Sequence, residues 1–132
     1  MVVFGAGPVG LLCMAVAKAL GASRVIAVDI VPSRLEFAKS FAATDVYLPP
    51  KLNAGETKMQ YSERNAQTMR EQLGIEERGA KSIDLVVDAS GADVSIQTGI
   101  LIARQGGTFV QVRVYEPRFI ASSVDMSMRL PR

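Results

Sequence analysis

Histidine is absent from the 132 residues, tryptophan is absent too, and cysteine occurs once, as Cys13. A zinc site takes three or four protein ligands drawn mostly from Cys and His, so this chain cannot easily build one. Acid–base chemistry through an imidazole and a Ser-His-Asp triad are excluded on the same ground. A single thiol cannot close an internal disulfide, which suits a reducing compartment. Long hydrophobic runs are missing as well. The longest apolar stretch, Val9 to Ala17, falls far short of the ~20 residues that cross a bilayer, and no basic segment precedes the first apolar residues. A cytoplasmic chain without a membrane partner is expected. An excess of one charge is also lacking: 15 basic against 13 acidic side chains leave +2, too little for a nucleic-acid partner.

What is present is an alternation of β-branched runs and helical segments. Val2-Val3-Phe4 reads as a short strand, and Pro8 to Leu20 as a helix that opens on proline and stops at Gly21. That helix is apolar nearly all round and is expected to lie buried against a sheet. Arg24 to Asp29 reads as a strand, Pro32 to Phe41 as a helix and Asp45 to Leu48 as a strand ended by Pro49-Pro50. After a polar loop, residues 61–73 read as a helix whose inward face carries Tyr61, Ala66, Met69 and Leu73. Ile83 to Asp88 is an almost wholly apolar strand, as suits parallel strands covered on both faces. Asp93 to Arg104 reads as a helix closed by Gly106-Gly107, and Thr108 to Val112 as a fifth strand. The pattern predicts an α/β doubly wound parallel sheet of about five strands in the order 3-2-1-4-5, a Rossmann arrangement. Residues 1–112 form this domain. Residues 113–132 show no clear period, with Arg118 to Ala121 a weak candidate for a sixth strand.

The strongest chemical signal is Gly5-Ala6-Gly7-Pro8-Val9-Gly10, set between the first strand and the first helix as a dinucleotide fingerprint requires. Gly5 allows the tight turn, Gly7 lets a pyrophosphate approach the backbone, and Gly10 lets helix and strand pack closely. Pro8 has no N–H, so amides such as those of Val9 and Gly10 would face the phosphates. The bland alternative is a strand-to-helix turn without a ligand. Asp29 follows Gly10 by 19 residues, at the end of the second strand, where an acid accepts ribose hydroxyls and repels a 2′-phosphate. NAD is thereby favoured over NADP; the competing role for Asp29 is a loop cap. Arg34 either lies over the adenine, admits a 2′-phosphate or is an ordinary exposed arginine. Ser90 and Gly91 follow the fourth strand at the carboxyl edge, either as a plain turn or as a contact with the nicotinamide half. Cys13 reads as core, with no positive neighbour to activate it. Tyr47 and Lys51 spell a Y-x-x-x-K pair, but Pro49 and Pro50 forbid the helical turn that would bring them together.

The strings VFGAGPVGLLCMAVAKALGASRVIAVDI, SRLEFAKSFAA, DLVVDASGADVSIQTGI and RQGGTFVQV resemble the cofactor domain of zinc-dependent medium-chain polyol dehydrogenases, in particular the xylitol- and sorbitol-oxidising members. The resemblance covers residues 2–112. It implies NAD-dependent oxidation of a polyol to a ketose, with zinc polarising the alcohol, and assembly into homo-oligomers. It also implies that Gly5, Gly7, Pro8, Val9 and Gly10 form the phosphate loop, and that Asp29 and Arg34 bind the adenosine. Nothing here matches the family's zinc ligands or proton relay, which lie in a separate domain, so no metal site and no catalytic residue are expected. Met1 falls directly at the first strand, and from Arg113 onward the tail matches nothing in the family. A cofactor-domain fragment, inactive alone and reaching a polyol only with the missing domain, is the expectation. One alternative is a stand-alone NAD-binding or regulatory module pairing with a full-length relative; another is a methyltransferase-like domain binding S-adenosylmethionine.

Overall fold

The structure, a computed structural model, describes residues 1–112; the Arg118 to Ala121 segment lies outside them. The described chain runs β1 (Val2–Phe4), α1 (Pro8–Ala19), β2 (Ile26–Val28), α2 (Pro32–Phe41), β3 (Asp45–Tyr47), α3 (Lys58–Leu73), β4 (Ile83–Asp88), α4 (Asp93–Ile102) and β5 (Ala103–Gln111). The strands form one sheet in the order β3-β2-β1-β4-β5, with every neighbouring pair parallel, as the alternating pattern predicts. Successive side chains of a strand point to opposite faces, and the core divides accordingly. Val2, Phe4, Ile26, Val28 and Val86 pack with Ala66, Met69 and Ile102 on the α3–α4 face. Val3, Ala27 and Val87 pack with Met14, Leu35 and Ala38 on the α1–α2 face. The register Phe4↔Val28 and Phe4↔Asp88 brings the carboxyl ends of the three central strands level, and that edge carries the site.

Several boundaries, and the face of α1, depart from the sequence reading. Helix α1 buries only Gly10 and Met14, while Val9, Leu12 and Val16 stay exposed. Composition made it apolar all round, but a helix on a sheet touches it along one stripe, and its outer side meets no other element among the described residues. In α2, Phe37 and Phe41 likewise face outward and stack on each other at 5.7 Å. Helix α3 starts three residues before Tyr61, because Thr57 and Gln60 form a capping box that satisfies two amides reciprocally. Helix α4 ends at Ile102 rather than Arg104. The chain pairs with β4 at once through Ala103↔Ile83, bulges over Arg104 to Gly107, and rejoins at Thr108↔Leu85.

Candidate functional site

Gly5 leaves β1 with φ +93°, a conformation that suits glycine, and its N–H donates to Val28 O at 2.8 Å. A Cβ there would lie 3.0 Å from Ala89 C and Ser90 N, so the glycine turn and the loop after β4 are in backbone contact. At Gly10 a Cβ would meet Gly5 O at 1.8 Å; the first turn of α1 is pressed against the loop that precedes it. At Gly7 a Cβ would meet nothing within 4 Å. The three glycines thus do three different things: turn, open approach and close packing. Gly7 is the N-cap of α1 and offers no side-chain cap, with Pro8 next. The first intrahelical amide bond is Leu11 N to Gly7 O, which leaves the Val9 and Gly10 amides without an acceptor inside the helix. Open space, unspent amides and the positive end of the helix dipole coincide there.

Asp29, only 7% exposed, follows β2. Its Oδ2 accepts the Ala6 N–H at 2.8 Å and its Oδ1 accepts the Val31 N–H at 2.8 Å. The carboxylate therefore ties the glycine turn to the end of β2 and also closes its own loop, so its capping role and its place at this edge are compatible. An ionised carboxylate has about four acceptor sites, which leaves two for a ligand. Arg34 Nη1 stands 3.8 Å from Asp29 Oδ2 with its side chain 58% exposed, a loose pair at the rim. Ser90 and Gly91 are exposed in the turn beyond β4, next to Gly5. All nine candidate residues thus gather at one edge, around the carboxyl ends of β1, β2 and β4, where the strand order reverses.

Two further residues belong to this edge. Ile30, 79% exposed, directly follows Asp29 and offers apolar surface beside it. Asp88 is fully buried and accepts from Ser90 N, Ser90 Oγ and Gly91 N at 3.1, 2.7 and 3.2 Å. The signal for Asp88 was an acid two residues before Ser and three before Gly, the pattern of an Asx turn. Tyr47 ends β3 with its hydroxyl on Asn65 Oδ1 at 2.8 Å, and the residues up to Lys51 form no helix, so the Y-x-x-x-K spelling has no chemistry here. Cavities of about 420 and 370 Å³ lie elsewhere, along the outer side of α1 and around Met1 at the opposite end of the sheet.

The edge can hold a pyrophosphate on amides and a diol on a carboxylate. No cluster of three or more His, Cys, Asp or Glu among the described residues could hold a metal ion. No helix of the described residues is long and apolar enough to cross a membrane.

The family model described as "Zinc-binding dehydrogenase" matches residues 8–127. A "Probable D-xylulose reductase A" of Arthroderma otae is 54% identical over 111 residues, covering 84% of this chain. "D-xylulose reductase A" of Aspergillus oryzae is 53% identical over the same length. The chain spans 28% of the length of either relative. Among solved structures, "Alcohol dehydrogenase TADH from Thermus sp. ATN1" superposes with a TM-score of 0.61 at 31% identity, covering 87% of this chain and 29% of that one. These matches are to dehydrogenases and lend no support to the S-adenosylmethionine alternative.

Proposed function

The chain belongs to the zinc-binding dehydrogenase family, and we propose that it is the NAD(H)-binding part of a polyol dehydrogenase that passes hydride between a polyol and the nicotinamide. The observation that carries this reading is the open space at Gly7 beside the unspent amides of α1, with Asp29 bonded to the same turn. The residues fit a dinucleotide. Val9 and Gly10 amides would meet the pyrophosphate, with Gly5, Gly7 and Pro8 shaping the loop under it. Asp29 would accept the ribose hydroxyls, Ile30 would offer its apolar surface to the adenine, and Arg34 would cover the rim. Ser90 and Gly91 would close the β4 side of the cleft. The bound nicotinamide supplies hydride acceptance and donation; these residues bind and orient it. The reductase names of the relatives support a pentitol–ketose pair as substrate and product, reached only with polypeptide outside these residues. Zinc does not fit the described residues, which bring no three His, Cys, Asp or Glu together. The lone cysteine suits the cytoplasm, and a homo-oligomeric parent enzyme is the family expectation.

The test is a titration with NADH and NADPH, read by nicotinamide fluorescence, with circular dichroism on the same sample. Asp29→Asn keeps the shape of the side chain, removes its charge and gives up one of its two amide bonds. NADH affinity should fall about tenfold, the scale of one charge-assisted hydrogen bond, while NADPH affinity holds or rises. An equal loss of both would remove the ribose role of Asp29, and a folded wild type that binds neither would remove the reading altogether.

A further inference from the structure

The loop after β4 is organised by one buried carboxylate. Asp88 is fully buried at the end of β4, and its carboxylate accepts from the Ser90 amide, the Ser90 hydroxyl and the Gly91 amide. The loop it holds is otherwise exposed, and its Ala89–Ser90 backbone sits against Gly5. On the other side of β1, Asp29 holds the Ala6 amide. Two aspartates, at the ends of β2 and β4, thus hold the glycine turn and its neighbouring loop from either side.

The hydroxyl bond has a chemical consequence. A serine hydroxyl owns one hydrogen and two lone pairs, and an ionised carboxylate only accepts. At 2.7 Å the Ser90 hydrogen is committed to Asp88, and one lone pair of the same oxygen takes the Ala92 amide at 3.3 Å. What Ser90 has left beside the glycine turn is one acceptor site. A phosphate oxygen, itself an acceptor, gains nothing from it; a ribose hydroxyl does.

We propose that Asp88 is a positioning residue of the dinucleotide site: it fixes the Ser90 hydroxyl so that Ser90 meets the ligand as an acceptor and selects a ribose hydroxyl over a phosphate oxygen. This rests on the dinucleotide reading given above. The test uses the full chain as wild type, Ser90→Ala, Asp88→Ala and the double variant. NADH affinity is read by nicotinamide fluorescence, inorganic pyrophosphate by its competition with NADH, and folding by circular dichroism. Ser90→Ala and Asp88→Ala, the latter leaving no acceptor for the Ser90 hydroxyl, should each weaken NADH about fivefold to tenfold, the scale of one hydrogen bond. Pyrophosphate affinity should stay unchanged, and the double variant should bind no more weakly than either single one. Losses that add would make Asp88 merely structural, and pyrophosphate falling in step with NADH would put the hydroxyl on the phosphates; either result overturns the proposal. If Asp88→Ala fails to fold, Ser90→Ala decides alone, since it removes one exposed hydroxyl and leaves both amide bonds to Asp88. A wild type that binds NADH, with Ser90→Ala binding as tightly, sinks this inference only; a wild type that binds no NADH sinks the dinucleotide reading and this inference with it.

Discussion

At the scale of residues, the glycine turn separates two functions that a motif merges. Gly10 has its missing Cβ 1.8 Å from Gly5 O, a backbone atom that cannot swing aside. Gly10→Ala should cost about 3 kcal/mol or more, as overpacking does when nothing flexible yields. Gly7 has ordinary dihedrals, φ −79° and ψ −174°, and open space where a Cβ would go. Gly7→Ala should cost about 1 kcal/mol or less as a poorer N-cap, yet the methyl would stand where the pyrophosphate approaches, so NADH binding should be lost. Thermal melts and NADH titration of both variants check the contrast; a Gly7→Ala chain that still binds NADH normally would show the ligand lies elsewhere. The sequence made these glycines legible because spacing between strand and helix is a local property. Asp29 was legible for the same reason, but its bond to Ala6 was not, since a backbone donor leaves no mark in the side-chain pattern. Asp88 carried only the local mark of an Asx turn: its acid closes an apolar strand, and burial and its three donors show what it holds.

At the scale of elements, strand and helix order could be read from alternation, whereas their edges depended on contacts between distant residues. The start of α3 was in fact written locally, as Thr57-Lys58-Met59-Gln60, a capping-box spelling. The early start of β5 was not, because Ala103 is drawn into the sheet by Ile83, twenty positions earlier. Helix α3 also buries polar groups that no hydrophobic period reveals. Asn65 accepts the Tyr47 hydroxyl at 2.8 Å and donates to Thr98 Oγ1 at 3.3 Å, joining β3, α3 and α4. Burial pushes the Tyr47 phenol up to about 12, and burial also raises Tyr61. A phenol whose folded value is raised stabilises the fold fully below its unfolded value, near pH 10, and that stabilisation is lost as pH climbs from 10 through 12. Unfolding free energy should therefore drop by on the order of 2 kcal/mol across that window. Tyr47→Phe should flatten most of the drop in urea melts at pH 9 and pH 11; an unchanged pH dependence in that variant would assign it to other groups.

At the scale of the whole molecule, the two faces of the sheet are unequally covered among the described residues. Helices α3 and α4 close one face, while α1 leaves Val9, Leu12 and Val16 outward over a groove shared with Leu85 and Val87. Exposed apolar surface of this kind favours association, and β5, with Val110 41% exposed, is a sheet edge among the described residues. The 132-residue chain should therefore self-associate in a concentration-dependent way. Leu12→Lys combined with Val16→Lys should shift it toward monomer in sedimentation while leaving NADH binding intact, since neither residue touches the glycine turn. An equal tendency to associate in the variant would place the contact at the β5 edge instead.

Catalysis asks more of the molecule than the cleft provides. Polyol oxidation needs a group that takes the alcohol proton and one that steadies the developing oxyanion. The site edge supplies amides and two carboxylates already holding loops, the chain has no histidine, and its one cysteine sits half-buried among the apolar residues of α1. The 132 residues alone should thus bind NAD(H) and oxidise neither xylitol nor sorbitol, with or without added zinc. Absorbance at 340 nm during prolonged incubation with NAD and either polyol measures this directly. A rate above the uncatalysed background that disappears in Asp29→Asn would show that this edge carries chemistry of its own. A flat trace beside intact NADH binding would place the proton-handling groups outside these residues, on polypeptide that has to be brought to the carboxyl ends of β1 and β4 before hydride can move.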